Sequence, residues 1–174
     1  MEGPECLNSL TAPDAAAEFL KCCGSRNWAR QLTGARPFAS LDELVVRADQ
    51  IWWALEPGDW LEAFHSHPKI GEKKAAAETA AAAQRWSEDE QLGIRDSAQQ
   101  TIDELAELNR AYEEKFGFIF IVCASGKSSD EMLAILRDRL GNSPGEELRN
   151  AAAEQAKITQ LRLNKLLNAG GVRL

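Results

Sequence analysis

Histidine is scarce in this sequence, which contains only two histidines among 174 residues. Cysteine is also sparse, and of the four present Cys22 and Cys23 are adjacent while Cys6 and Cys123 are isolated. This arrangement matches neither a disulfide framework nor the paired CxxC motifs of zinc and redox sites. We therefore expect reduced thiols, and we exclude a small disulfide-stapled secreted fold.

Long apolar runs and an excess of positive charge are absent as well. No run approaches the ~20 apolar residues of a membrane helix, and the amino terminus lacks the basic and apolar regions of a signal peptide. Lys and Arg total 20 against 27 Asp and Glu, and the net charge of -7 disfavours broad binding to nucleic acid or anionic membranes. The terminal VRL is not a peroxisomal signal of the SKL type. These features predict a cytoplasmic protein with no nucleic-acid or membrane partner.

Helix signals dominate what is present. Ser40 with Glu43, Ser87 with Glu90, and Ser143 with Glu146 match the capping-box pattern that begins helices. The length and the 44% hydrophobic content suit one domain over residues 1–174. We predict an all-α, single-domain helical bundle of about seven helices: Asp14 to Cys23, Ser40 to Leu55, Gly58 to Ser66, Ala75 to Arg85, Ser87 to Lys115, Ser129 to Leu140 and Pro144 to Asn168.

One stretch departs from the helical pattern. Residues 116–125 read FGFIFIVCAS, which is apolar and β-branched and contains a helix-breaking glycine. A lone strand has no sheet to join, so we expect an extended segment near residues 117–125 threaded between helices. Its backbone donors and acceptors need partners, which either the protein core or a flat polar heterocycle could supply.

Both histidines fall in the short stretch AFHSHPKIGEKK, at positions 65 and 67. Because a residue before proline avoids the α conformation, Pro68 should end the preceding helix near Ser66 and leave His67 extended at its carboxyl end. The negative end of the helix dipole favours an imidazolium, which suits His67 for delivering a proton. A helix-capping role for His67 and a zinc site that uses His65 and His67 are the alternatives, although catalytic zinc normally needs a third protein ligand.

Two further charged residues have competing interpretations. Glu90 is the N3 residue of a capping box, yet a carboxylate fixed at a helix amino terminus could also orient a polar substrate. Arg162 lies between Ile158 and Leu166 in the apolar sector of the last helix, where an arginine is costly unless it meets an anion. A partner carboxylate inside the fold or an anionic ligand would each explain Arg162.

Four stretches taken together resemble a known family. They are HPKIGEK (residues 67–73), WSEDEQ (86–91), NRAYEEKFGFIFIVCASG (109–126) and EQAKITQLRLNKLL (154–167). A shorter stretch, RPF at residues 36–38, and the order of the helices fit the same family. This set is similar to the OHCU decarboxylases of uric acid degradation, where OHCU is 2-oxo-4-hydroxy-4-carboxy-5-ureidoimidazoline. The resemblance covers nearly the whole chain. It implies an all-α homodimer that converts OHCU to (S)-allantoin and carbon dioxide, a step of purine catabolism, with no metal or organic cofactor.

The resemblance also implies roles for individual residues. His67 corresponds to the catalytic acid/base, Glu90 to the essential carboxylate and Arg162 to the substrate-binding arginine, whereas His65 corresponds to no functional position. The other implied substrate-binding residues are Pro68, Ser87, Gln91, Phe120, Ile121, Val122, Cys123 and Ala124. The alanine-rich tract at residues 75–84 departs from the family pattern between His67 and Trp86. Two other functions stay open: a metal-dependent ureide hydrolase using His65 and His67, and a non-enzymatic helical interaction module.

Overall fold

Helices make up all the regular secondary structure in the part of the chain that the computed structural model describes, residues 3–67 and 99–168. The eight helices there are α1 (Pro4–Ser9), α2 (Ala12–Cys23), α3 (Arg26–Gly34), α4 (Leu41–Trp53), α5 (Pro57–His65), α6 (Gln99–Phe116), α7 (Ser129–Arg139) and α8 (Pro144–Asn168). None of them combines the length and the hydropathy that a membrane crossing requires. The prediction of an all-α fold is confirmed.

The chain forms two compact units. The first unit comprises residues 1–63 and 156–174, and the second comprises residues 64–155. Helices α1 to α4 therefore belong to the first unit and helices α6 and α7 to the second, while α5 and α8 each contribute residues to both. The prediction of a single domain over residues 1–174 stays a prediction.

Local capping explains how α2 ends and α3 begins. Gly24 adopts a left-handed conformation with a φ of 86°, and its N–H donates to the carbonyl of Leu20 at 2.8 Å. The next residue, Ser25, accepts a hydrogen bond from the N–H of Trp28 and so caps α3. The turn between the two helices is therefore short, and α2 packs directly against α3.

Hydrogen bonds between side chains and backbone groups hold the short helix α1 in the first unit. The guanidinium of Arg36 donates to the carbonyls of Leu7 and Leu10 at 2.6 and 2.9 Å. The side chain of Asn8 exchanges two hydrogen bonds with the backbone of Phe38, at 2.8 and 2.9 Å. A helix of six residues is not stable by itself, so these tertiary contacts account for α1.

Tryptophan side chains fill much of the core of the first unit. The indole N–H of Trp28 donates to the carbonyl of Ala48, and that of Trp60 donates to the carbonyl of Trp52, each at 3.0 Å. These bonds satisfy the polar atom of each buried indole. Trp53 packs edge-on against Trp60 but keeps 43% of its surface exposed.

An aromatic cluster occupies the core of the second unit. Tyr112 of α6 is fully buried, and its ring centroid lies 4.7 Å from that of Phe116 and 5.4 Å from that of Phe120. Phe64 packs against Phe118 with ring centroids 5.4 Å apart. Leu105 and Tyr112, seven positions apart on α6, are both buried and lie on the same face of the helix.

Several details of the helix prediction need correction. Helices α1 and α3 were not among the predicted helices. The carboxylate of Glu43 accepts from the N–H of Ala39 rather than from that of Ser40, so the first predicted capping box is only half formed. A complete capping box instead begins α7, where Ser128 and Glu131 bond reciprocally. The predicted helix Ala75 to Arg85, and the part of Ser87 to Lys115 that precedes α6, lie outside the described residues.

Candidate functional site

His67 follows the carboxyl end of α5 in the second unit. The helix ends at His65, one residue earlier than predicted, and the N–H of His67 donates to the carbonyl of Phe64 at 3.2 Å to close the last turn. The side chain of His67 is half-buried, whereas that of His65 is exposed. The position of His67 just beyond a helix end, expected from the proline that follows it, is confirmed.

A buried glutamine of α8 holds the ring of His67. Nε2 of His67 lies 2.6 Å from Oε1 of Gln155, whose side chain is fully buried. Because an amide oxygen only accepts hydrogen bonds, this contact favours a ring that carries its proton on Nε2. The glutamine thus restrains the orientation of the imidazole, which a proton-transferring histidine requires.

Residues 117–128 connect α6 to α7 with neither helix nor strand, and the apolar segment predicted near residues 117–125 lies within this connection. Gly117 begins it with a φ of 78°, a left-handed conformation that terminates α6. Residues 120–124 are all buried. Among the described residues, the backbone N–H and carbonyl of Val122 form no hydrogen bond, so a buried donor and acceptor there remain for another partner.

A buried polar network lies beside this segment. Arg139 of α7 and Glu147 of α8 form an ion pair at 2.5 Å, with 8% and 0% of their side chains exposed. The hydroxyl of Tyr112 also donates to Glu147, and Asn142 donates to its other carboxylate oxygen at 2.8 Å. Burial, and then the hydrogen bond to Glu147, raise the pKa of Tyr112 far above its ordinary value, so the phenol stays protonated.

Arg162 belongs to the first unit and is 4% exposed, as its position in the apolar sector of α8 predicts. Its positive charge acts on two neighbouring buried thiols. Burial raises the pKa of Cys23 to about 12, and bonds to Ser25 and Thr159 together with the charge of Arg162 offset part of that effect. Burial likewise raises the pKa of Cys22, again opposed by Arg162. Both thiols are neutral at physiological pH, and none of the chain's four cysteines, all within the described residues, forms a disulfide.

Comparison with known proteins identifies the family. The model of the family described as OHCU decarboxylase matches residues 8–164. The chain belongs to the OHCU decarboxylase family. Its resemblance to that family, inferred above from sequence motifs, is therefore confirmed.

Individual OHCU decarboxylase relatives support the assignment. The chain is 41% identical over 152 residues to the uric acid degradation bifunctional protein TTL of Arabidopsis thaliana, which covers 87% of this chain and 47% of that protein. It is 27% identical over 135 residues to the 2-oxo-4-hydroxy-4-carboxy-5-ureidoimidazoline decarboxylase of Haloferax volcanii, covering 78% and 77% of the two chains. The chain spans 28% to 47% of the length of four such relatives.

A solved OHCU decarboxylase structure matches as well. The crystal structure of an OHCU decarboxylase in the presence of (S)-allantoin is 40% identical to this chain, with a TM-score of 0.76. The match covers 87% of this chain and 98% of the solved one. The fold described here is therefore the fold of that decarboxylase.

The site residues inferred from the OHCU decarboxylase resemblance are distributed unevenly. The structure places His67 and residues 120–124 in the second unit and Arg162 in the first. Pro68, Ser87, Glu90 and Gln91 lie outside the described residues. Within residues 3–67 and 99–168, no group of three or more His, Cys, Asp or Glu could hold a metal ion. A metal site using His65 and His67 would thus need ligands from the rest of the chain.

Sequence reasoning missed three polar residues that the structure brings to this region, namely Gln155, Glu154 and Arg139. A signal for Gln155 was present, because it lies three residues before Ile158 in the same apolar sector of α8 that drew attention to Arg162. Glu154 and Arg139 carry no such signal. Their contacts are with backbone atoms that are distant in sequence, which only the tertiary fold brings close.

Proposed function

We propose that this chain decarboxylates OHCU to (S)-allantoin and carbon dioxide in uric acid degradation, and that it is thus a carboxy-lyase. One observation supports this most strongly. The chain matches 98% of the length of a solved OHCU decarboxylase at 40% identity, and that structure was determined in the presence of (S)-allantoin. The motif that contains His67 and the residues that surround it are consistent with the same reaction.

The substrate's own structure reduces what the enzyme must supply. OHCU bears its carboxylate on a carbon next to a ring C=N bond, so the electron pair released as the C–C bond breaks can move into that imine. No organic electron sink is then needed, and the reaction requires no metal or cofactor. The carbon that loses the carboxylate becomes the ring carbonyl, and the former imine carbon, which bears the ureido group, takes the new proton. The protein must bind the ring, exclude water and deliver that proton to a single face of the ureido-bearing carbon, which sets the S configuration.

We assign the proton transfer to His67. Its ring is held through Nε2 by the buried Gln155, at a position just beyond the carboxyl end of α5. A proton donor must keep one orientation for a stereospecific product, and this hydrogen bond restricts rotation of the ring. His65 is exposed and has no part in the proposed reaction.

We assign substrate binding to the remaining residues of the family pattern. The backbone of Phe120 to Ala124 would hydrogen-bond the ring, and the buried groups of Val122 support this assignment. Arg162 would bind a carboxylate or ring oxygen, which is consistent with a buried cation. Glu90 would orient the hydroxyl or ureido group and keep His67 charged, and Pro68, Ser87 and Gln91 would also bind the substrate.

We also propose that the whole chain acts as one domain in a cytoplasmic homodimer, with no nucleic-acid or membrane partner. The net charge of -7 supports the last part. Two apolar side chains of α4 are exposed, Val46 at 56% and Trp53 at 43% of their surfaces, and they suit a subunit contact. Light scattering after gel filtration measures the mass, and a monomer at working concentration contradicts the homodimer.

The proposed reaction is tested with freshly generated OHCU, made by oxidising urate and hydrolysing the product. The appearance of (S)-allantoin is followed by circular dichroism, with and without prior exhaustive treatment with EDTA. We expect optically active product well above the spontaneous rate and unchanged by EDTA. A rate equal to the spontaneous decay, which gives racemic product, refutes the decarboxylase. If EDTA removes stoichiometric zinc and the activity is lost with it, the metal-dependent hydrolase is supported instead.

A further inference from the structure

Three charged side chains hold the peptide groups of the segment between α6 and α7. Arg139 donates to the carbonyl of Ile121, Glu154 accepts from the N–H of Cys123, and Lys127 donates to the carbonyl of Cys123, each at 2.7 Å. Hydrogen bonds to charged groups are shorter and stronger than neutral ones. The backbone of this segment is therefore fixed by side chains in place of a neighbouring strand.

Along this segment, residues whose peptide groups bind the charged side chains alternate with residues whose peptide groups do not. In an extended chain, the N–H and carbonyl of one residue point to one side and those of the next residue point to the other. The charged side chains contact the peptide groups of Ile121 and Cys123 and not those of Val122, which fits this alternation and would leave the N–H and carbonyl of Val122 on the opposite side. These are the buried groups that form no hydrogen bond within the described residues.

Burial and stacking make Arg139 a rigid support. Its guanidinium lies over the ring of Phe120, 4.8 Å from the centroid, and it pairs with the buried Glu147. One planar fork thus contacts a ring, a carboxylate and the carbonyl of Ile121 together, which a lysine could not reproduce. Arg137, two residues earlier on the same helix, is instead exposed and pairs with Glu104 at the surface.

We propose that Arg139 and Glu154 are positioning residues for the decarboxylation: they fix the peptides of Ile121 and Cys123 so that the N–H and carbonyl of Val122 are presented to the substrate ring. This role rests on the proposed function. A segment ordered before binding loses less conformational freedom when the ligand arrives, so the two side chains lower KM more than they raise kcat.

Glu154 provides the sharper test because it is half-buried and lies outside the Arg139 network. Glu154→Ala should raise KM for OHCU about 10-fold with kcat changed less than about 3-fold, as expected for the loss of one charge-assisted hydrogen bond. Amide exchange in the peptide spanning residues 118–124 should become faster. Glu154→Gln keeps an acceptor for the N–H of Cys123, so its KM and its amide exchange rate should both lie close to the wild-type values. Glu146→Ala, on the exposed first turn of α8, is the matched control.

Arg139→Lys against Arg137→Lys repeats the comparison on α7, with the KM effect expected only for the buried position. Unchanged exchange in Glu154→Ala overturns the proposal, and so does faster exchange with unchanged kinetics. Kinetic loss in Glu146→Ala of the same size also overturns it. The wild-type rate is measured first. If this rate does not exceed that of spontaneous decay, the proposed function is wrong, and so is the proposed role of the segment in binding the substrate. The exchange data would still decide whether Glu154 holds the segment.

Discussion

Replacing Glu147 by glutamine would leave the buried guanidinium of Arg139 without its counter-charge. The carboxylate accepts hydrogen bonds from Arg139, Tyr112 and Asn142, so an amide, which has one acceptor oxygen and two donors, cannot satisfy all of these donors. Breaking a buried ion pair by removing one partner costs about 3–5 kcal/mol. At roughly 2–4 °C per kcal/mol for a chain of this size, Tm should fall by about 6–20 °C.

The stability lost in Glu147→Gln should depend on pH, and it should become smaller in acid. Burial by itself would raise the pKa of Glu147, but hydrogen bonds from Arg139, Tyr112 and Asn142 outweigh it and hold the pKa below its ordinary value of 4.5. A carboxylate with a lowered pKa in the folded state stabilises the fold above its unfolded-state pKa, and that contribution disappears as pH falls through the folded-state pKa. The difference in the free energy of unfolding between wild type and Glu147→Gln should therefore be largest near neutral pH and should decrease below about pH 4.5.

Urea unfolding followed by far-UV circular dichroism measures the free energy of unfolding, at about pH 7 and in steps down to about pH 3.5. Thermal unfolding at about pH 7 measures Tm. Glu146→Gln is the matched control, because this neighbouring carboxylate is exposed and should change the free energy of unfolding by less than about 0.5 kcal/mol. A loss below about 1 kcal/mol for Glu147→Gln, or a loss that does not narrow in acid, would refute this account of the network.

Three other outcomes can be measured, two on single variants and one on the wild-type protein. His67→Asn should abolish turnover with an unchanged circular dichroism spectrum while His65→Asn stays active; equal losses would exclude a single catalytic histidine. Glu90→Gln should lower kcat on the order of 100-fold with little change in Tm, since glutamine preserves a capping box, and a variant that melts earlier yet turns over normally would make this residue structural. Cys22 and Cys23 should resist iodoacetamide in the folded protein at about pH 8, because burial raises the pKa of both thiols; mass spectrometry that finds them modified without unfolding would contradict this.

Sequence patterns predicted the long helices well because local signals specify them. Helices α6 to α8 carry apolar spacing and terminal signals within their own residues. Helix α1 is only six residues long, and Arg36 and Asn8 hold it through contacts about thirty positions apart in sequence. The signal for α3 was available, since Ser25 precedes a run with apolar residues at Trp28, Ala29 and Leu32, and the prediction missed it.

The candidate site was predictable where one residue restricts its neighbour. A proline after His67 restricts the backbone before it, so the end of α5 could be inferred without the fold. The partner of His67 could not, because Gln155 is 88 positions away and its side chain looks like any other amide in a helix. The same holds for Arg139 and Glu154, which act on backbone carbonyl and amide groups that every residue possesses. Burial of Arg162 was predictable because an apolar helical sector surrounds it.

The distribution of indole rings gives the two units different optical signals. Four of the five tryptophans, at positions 28, 52, 53 and 60, belong to the first unit, and the single tyrosine, Tyr112, belongs to the second. In a Trp86→Phe variant, tryptophan emission would report on the first unit alone, while ellipticity at 222 nm would follow helices in both. Coincident melting curves from the two signals would mean that the units unfold as one cooperative domain, and separated curves would assign a transition to each.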